Sequence, residues 1–230
     1  MTFRILAISD EVSDLLYHID LLQRTGCLDA VLACGDLPYT YMEYISTQAR
    51  IREAYYVHGN HDAPESLHGG GTLEEPGGWR NIDRRSVALN RGKLLIAGLE
   101  GSIRYTPRAA HQYSELDMRL RAQTLIFKLW LNKLRYGRYL DVLIAHSPAR
   151  GIHDSNEGAH RGFATLRSII ERYRPRLFLH GHQHQYGPME WHTRFAQTEV
   201  VNVHPFRLIE LDSDGVRICR LTRGKANQIG

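Results

Sequence analysis

The chain has 230 residues, 43% of them apolar and 23% charged, an ordinary globular balance that excludes disordered, collagen-like and coiled-coil chains. That length suits a single domain over residues 1–230, since two full cores would be crowded. Lys and Arg number 29 against 25 Asp and Glu, a formal charge of +4, which is compatible with anionic substrates but gives no strong nucleic-acid signal.

Apolar runs such as Leu94–Ala97 fall far short of the roughly 20 residues that cross a bilayer, so no membrane span is expected. Met1-Thr2-Phe3-Arg4 leads straight into a strand-like run without a signal-peptide pattern, and a cytoplasmic protein is the expectation. Cys27, Cys34 and Cys219 cannot form a closed disulfide set and suit a reduced compartment.

The pattern predicts a strand at Phe3–Ser9, an amphipathic helix over about Ser13–Thr25 stopped by Gly26, and a strand at Ala30–Cys34. A helix near Tyr41–Arg52 and a strand at Ala54–His58 follow. This β-α-β-α-β order argues for a mostly parallel sheet with crossover helices. Glu65–Gly78 is glycine-rich and reads as loop, with short strands at Ser86–Leu89 and Leu94–Gly98 beyond it. A long helix is expected over Gln112–Leu134, then a strand at Val142–Ala145, a helix at Phe163–Tyr173 and a strand at Leu177–His180. The last runs, Thr198–Val203, Phe206–Leu211 and Val216–Leu221, are broken by turn residues and read as an antiparallel meander. Two sheets, each backed by helices, bury this much strand.

Five short motifs each follow a strand-like run: Ser9-Asp10-Glu11, Gly35-Asp36, Gly59-Asn60-His61-Asp62, Ala145-His146-Ser147 and Gly181-His182-Gln183-His184. In α/β sheets the loops at the strands' carboxyl ends converge on one crevice. Asp, Asn and neutral His are oxygen and nitrogen donors suited to divalent transition metals. His182 and His184 point the same way if the segment is extended.

In order and spacing these motifs closely resemble the calcineurin-like metallophosphoesterases, in particular small bacterial members without a cap domain. The resemblance runs from residue 10 to residue 184. It implies a four-layer α/β/β/α sandwich of two mixed β-sheets flanked by helices. It also implies two divalent metal ions, from among Mn, Fe, Zn, Co or Ni. Asp36 would bridge them, Asp10 and His184 would complete the first site, and Asn60, His146 and His182 the second. The implied reaction is hydrolysis of a small phosphodiester or phosphomonoester by metal-activated hydroxide. His61 would protonate the leaving oxygen, worth about 10²–10⁴-fold, with Asp62 orienting it.

The first motif departs from the family's D-x-H, because Val12 stands where the usual histidine would. Water, or Glu11, would take that place, and the first site would bind metal more weakly. Tyr39 occupies the position that is Asp in the Ser/Thr protein phosphatases, which argues against that subgroup. Arg150, Arg161 and His153 follow the His146 loop and are the candidate substrate contacts; Glu100-Gly101-Ser102 is a further strand-end loop expected at the edge of the site. Two other functions compete: a non-catalytic scaffold on the same fold, as in the retromer subunit, and a nuclease of the SbcD type. The intact later motifs argue against the first, and the short chain and mild charge against the second. The apolar and basic helix around Gln112–Leu134 reads first as core packing with a solvated edge, second as a dimer or partner surface that would make the chain a homo-oligomer, and third as an interfacial membrane contact.

Overall fold

The computed structural model describes residues 1–18, 20–155, 158–184 and 190–221. In chain order the elements are β1 (Phe3–Ile8), α1 (Leu21–Thr25), β2 (Ala30–Ala33), α2 (Tyr39–Gln48), β3 (Ala54–Tyr56), β4 (Glu65–Ser66), β5 (Thr72–Leu73), β6 (Arg80–Asn81), β7 (Arg85–Leu89) and β8 (Leu94–Leu99). There follow β9 (Ser102–Ile103), β10 (Gln112–Tyr113), α3 (Glu115–Tyr136), β11 (Val142–Ala145), α4 (Ala164–Tyr173), β12 (Leu177–His180), β13 (His192–Phe195), β14 (Thr198–Asn202), β15 (Phe206–Asp212) and β16 (Gly215–Cys219).

Two six-stranded mixed sheets form the centre, in the orders β16-β15-β1-β2-β3-β6 and β13-β14-β12-β11-β8-β7. Strands β1, β2, β3 and β6 run parallel, with β15 and β16 antiparallel at one edge. In the second sheet β8, β11, β12 and β14 run parallel, with β7 and β13 antiparallel at the two edges. The strands are apolar on both faces because both faces are covered. Ile5, Ala7, Leu32 and Val57 of the first sheet meet Ile96, Ile144, Leu179 and Val201 of the second in one buried cluster. On its other face the first sheet buries Leu6, Ile8 and Val31 against Met42 and Ile45 of α2. The second sheet buries Leu143 and Phe178 against Leu125 and Leu129 of α3 and Ile169 of α4. The result is the four-layer α/β/β/α sandwich of two mixed sheets.

Several boundaries differ from the sequence reading. Among the described residues, the helix expected over Ser13–Thr25 is helical only at Leu21–Thr25. Leu16 is buried from within a turn that closes on the Ser13 carbonyl, so its burial needs no helical stripe. Helix α3 begins at Glu115 because Ser114 and Asp117 form a reciprocal capping box, which satisfies two orphan donors at the first turn. Within Glu65–Gly78, β4 and β5 form a two-residue antiparallel ribbon. The expected terminal meander is divided. β15 and β16 do make a hairpin and extend the first sheet, but β14 joins the second sheet parallel to β12. Val200 and Val201 are both buried, as in an inner strand rather than one with a wet face.

Helix α3 buries Met118, Ala122, Leu125 and Leu129. Leu116, Leu120, Phe127, Trp130, Leu131 and Leu134 remain exposed, and their spacing lines them along one continuous stripe of the helix. Among the described residues no helix is long and apolar enough to cross a membrane.

Candidate metal centre

The carboxyl ends of β1, β2, β3, β11 and β12 lead into Asp10, Asp36, Asn60, His146 and His182 respectively, so both sheets open onto one rim. Asp10, Asp36 and His182 all have left-handed backbone, with φ of 67°, 57° and 66°. Such conformations cost about 1–3 kcal/mol each in a non-glycine residue and cluster at functional sites. Two glycines are fixed by close approach rather than by a turn. A Cβ on Gly59 would stand 2.0 Å from Asp36 Oδ1, and one on Gly181 would stand 1.9 Å from Ser9 Oγ and 2.4 Å from Asp10 Oδ2.

His146 is fully buried at the centre. Its Nδ1 lies 2.8 Å from the Cys34 carbonyl, which can only accept, so Nδ1 carries the proton and Nε2 presents a lone pair. His182 Nε2 lies 2.7 Å from the Ala159 carbonyl, which by the same logic leaves its Nδ1 as a lone pair. Asn60 Nδ2 donates to the Tyr105 hydroxyl over 2.9 Å, which turns Oδ1 inward. His146 Nε2 then stands 3.0 Å from His182 Nδ1, 3.0 Å from Asn60 Oδ1 and 3.3 Å from Asp36 Oδ2. Four acceptors therefore converge on one point. A single proton on His146 relieves one of these contacts, whereas a divalent cation relieves all four, so the donor set fits a metal ion.

The electrostatics agree. Burial resists charge on Asp36, but His146 and the His61 backbone N–H hold its carboxyl down to about 2. Burial opposes protonation of His146, yet the Asp36 and Asp10 carboxylates drive it up to about 9, the response of a base enclosed by negative charge. His182, desolvated and beside His146, falls to about 4 and stays neutral.

Asp10 and His184 lie beside this cluster. The His182 backbone N–H donates to both Asp10 oxygens, at 2.9 and 3.1 Å. His184 Nε2 stands 3.7 Å from Asp10 Oδ1. Burial works against the charge on Asp10, and His184, His146 and Ser9 outweigh it and keep its carboxyl below the ordinary value. The His184 ring is stacked on His204 with centroids 5.0 Å apart, and His204 Nε2 lies 3.2 Å from Glu11 Oε2. His204, unforeseen from sequence, thus stands beside His184 and Glu11. Val12 itself is 40% exposed.

The remaining candidates are placed as follows. The His61 side chain is exposed on a cleft of about 390 Å³ between the Asp36–Tyr39 and His61–Glu65 segments, and its backbone N–H donates to Asp36 Oδ1 over 2.8 Å. Asp62 does not orient His61. Its carboxylate accepts the N–H groups of Asp36, Leu37 and Gly59 at 3.1, 3.1 and 2.7 Å, so it ties two site loops together. Asp62 is neighbour to His61 in sequence, but its oxygens turn to the backbone donors beneath. His153 does not face the cleft with a free nitrogen. Its Nδ1 meets His180 Nε2 at 3.0 Å and its Nε2 meets Thr193 Oγ1 at 2.8 Å. His180 Nδ1 in turn bonds the Gly181 carbonyl, so this chain braces the loop that carries His182. The side chains of Arg150 and Arg161 make no hydrogen bond or ion pair among the described residues; Arg161 is exposed and directly follows His160, whose Nδ1 lies 3.2 Å from the His182 carbonyl.

Residues 3–186 match the profile of the calcineurin-like phosphoesterases. No curated protein sequence matches the chain. Among solved structures, the TT1561 protein of Thermus thermophilus is 18% identical with a TM-score of 0.61, over 96% of this chain and 100% of that one. GAP50, the anchor in the inner membrane complex of Plasmodium, is 10% identical with a TM-score of 0.56, over 97% of this chain and 86% of that one. At these identities the likeness is one of fold. The family match covers most of the chain: it belongs to the calcineurin-like phosphoesterases, and it is a metal-dependent phosphoric ester hydrolase.

Proposed function

We propose that the chain uses two divalent metal ions to hydrolyse a small phosphodiester or phosphomonoester. The observation that carries this is the convergence of four acceptors from Asp36, Asn60, His146 and His182 on one buried point, with Asp10 and His184 alongside. Asp36 would serve both ions, Asp10 and His184 would hold the first with His204 or Glu11 nearby, and Asn60, His146 and His182 would hold the second. When bound, the metals supply Lewis acidity, acidifying a water toward hydroxide at neutral pH and drawing charge from the phosphoryl oxygens.

The chain's own residues do the rest. Asp62 fixes the Asp36 and Gly59 loops to each other, so that the ligands are presented without rearrangement. His61, exposed on the cleft, donates a proton to the leaving oxygen. Arg161, exposed beside the His182 loop, offers a cation to a substrate phosphate, and Arg150 is a second such candidate. A scaffold reading would need the buried acceptors to persist without a ligand, and their crowding argues against it.

The test is turnover of bis-p-nitrophenyl phosphate and p-nitrophenyl phosphate after chelation and return of Mn²⁺, Fe²⁺, Co²⁺, Ni²⁺ or Zn²⁺. Metal-restored hydrolysis, abolished in Asp36→Asn, supports the reading; absence of turnover with every metal overturns it.

The exposed stripe of α3 is proposed to pack on a second copy of itself. Its six large apolar side chains expose on the order of 700 Å², close to the ~800 Å² each partner gives a standard interface. An antiparallel pairing also sets the acidic start of the helix, Glu115 and Asp117, near the basic end, Lys133 and Arg135. Sedimentation of the wild type as a dimer and of Leu131→Glu as a monomer supports this; a wild-type monomer at micromolar concentration refutes it.

A further inference from the structure

A second group of metal-ligating side chains lies outside the centre described above. His58 follows β3, Glu100 follows β8 and His111 precedes β10, and one ligand atom from each falls within 4.8 Å of the other two. His58 Nδ1 is 3.0 Å from Glu100 Oε2, and His111 Nδ1 is 3.3 Å from Glu100 Oε1. The two imidazoles are stacked, with centroids 4.3 Å apart.

Hydrogen bonding alone does not satisfy this group. Asn81 Oδ1 accepts the Asp83 N–H over 2.7 Å, so its Nδ2 is a donor, and that donor sits 3.1 Å from His58 Nδ1. That one ring nitrogen therefore has both an amide donor and the Glu100 carboxylate at hydrogen-bond distance, and satisfies at most one of them. His111 Nδ1 is a buried atom that makes no hydrogen bond, although it lies close to Glu100. Arg121 and the Tyr113 hydroxyl both engage Glu100 Oε1, at 2.7 and 2.6 Å, while Oε2 faces His58. Burial disfavours charge on Glu100, but His111, His58 and Tyr113 hold its carboxyl well below the ordinary range, so it is an anionic ligand at neutral pH. Glu75 and Asp83 border the adjoining cavity of about 310 Å³, which has room for coordinated water.

We propose that His58, Glu100 and His111 form a third binding site for a divalent transition metal, of the two-imidazole, one-carboxylate kind that suits Zn²⁺ or Co²⁺. The site has a structural role. It joins three segments: the loop carrying Asn60, the end of β8, and the stretch after Tyr105. The Gly101 N–H already donates to the His58 carbonyl over 2.8 Å, and a metal there fixes the side chains above that bond. It binds whether or not the chain turns over a phosphoester.

The experiment counts Zn²⁺ bound to the chelator-stripped full chain by isothermal titration and by elemental analysis after gel filtration. It is made in the wild type, in His111→Ala, and in Asp36→Asn with His146→Ala, which disables the other centre. The expected result is one equivalent fewer in His111→Ala than in wild type, and one retained equivalent in the double variant that disappears when His111→Ala is added. Co²⁺ added to the double variant is expected to give ligand-field absorption that His111→Ala removes. If the double variant does not fold, His111→Ala and Glu100→Gln alone decide the matter. Equal stoichiometry and affinity in wild type and both single variants overturns the proposal. Loss of hydrolysis in every protein with this equivalent intact would overturn the phosphoesterase mechanism and leave the third site standing.

Discussion

The Asn60 amide nitrogen donates to the Tyr105 hydroxyl over 2.9 Å, and this contact decides which end of the Asn60 side chain meets His146. An amide rotated by half a turn would aim N–H groups at the cation site. Outer partners that orient ligands typically affect metal affinity by about 10–100-fold. Tyr105→Phe is therefore expected to weaken metal binding at the His146 cluster by that factor, measured by competition with a chromophoric chelator. Unchanged affinity would show that Asn60 is oriented by something else.

His61 is exposed on the cleft while its backbone N–H is bonded to Asp36, so its imidazole can be removed without removing a ligand. His61→Ala is expected to lower kcat by about 10²–10⁴-fold on an alkyl phosphoester, with metal content unchanged. The loss should shrink for p-nitrophenyl esters, whose leaving group departs without a proton. An equal loss on both substrate types would remove the proton-donor role from His61.

Gly59→Ala forces a Cβ to within 2.0 Å of Asp36 Oδ1, with backbone of Asp36 also inside 3 Å. Displacement of the bridging carboxylate is the expected result, with loss of bound metal and of nearly all activity. Gly69 has nothing within 4 Å of its added Cβ, and Gly69→Ala should change stability by less than about 0.5 kcal/mol. Paired metal analysis and thermal melts of the two variants check this.

These residues mark how far the chain could be read from its letters. Asp10, Asp36, Asn60, His146, His182 and His184 stood out because ligand types recur in short motifs after strand-like runs, a local pattern. Most strands and helices were legible for the same reason, as they carry their own periodicities, while the four-layer sandwich came with the family resemblance. What orients the ligands was not. The Cys34 and Ala159 carbonyls that set the histidine tautomers belong to the backbone, which every residue carries. Tyr105 sits 45 positions from Asn60, and His204 reaches His184 only because β14 joins the second sheet. Asp62 misled because adjacency in sequence says little about where a carboxylate turns at a tight loop.

Acid should destabilise the fold partly through Glu100. Its carboxyl is depressed in the folded chain by His111, His58 and Tyr113, against the effect of burial. A depressed acid stabilises above its unfolded value, about 4.3, and that contribution fades as pH falls through the folded value. Glu100→Gln is thus expected to be less stable than wild type at pH 7, with the gap closing below about pH 4. Urea midpoints across that range test it, and a gap independent of pH would assign the loss to packing.

The left-handed backbone at Asp10, Asp36 and His182 also bears on inheritance. Asn and Gly adopt that conformation more comfortably than the residues now there. A descendant freed from hydrolysis would gain robustness by changing these three positions first. Their identity in any descendant thus records whether selection still maintains its chemistry.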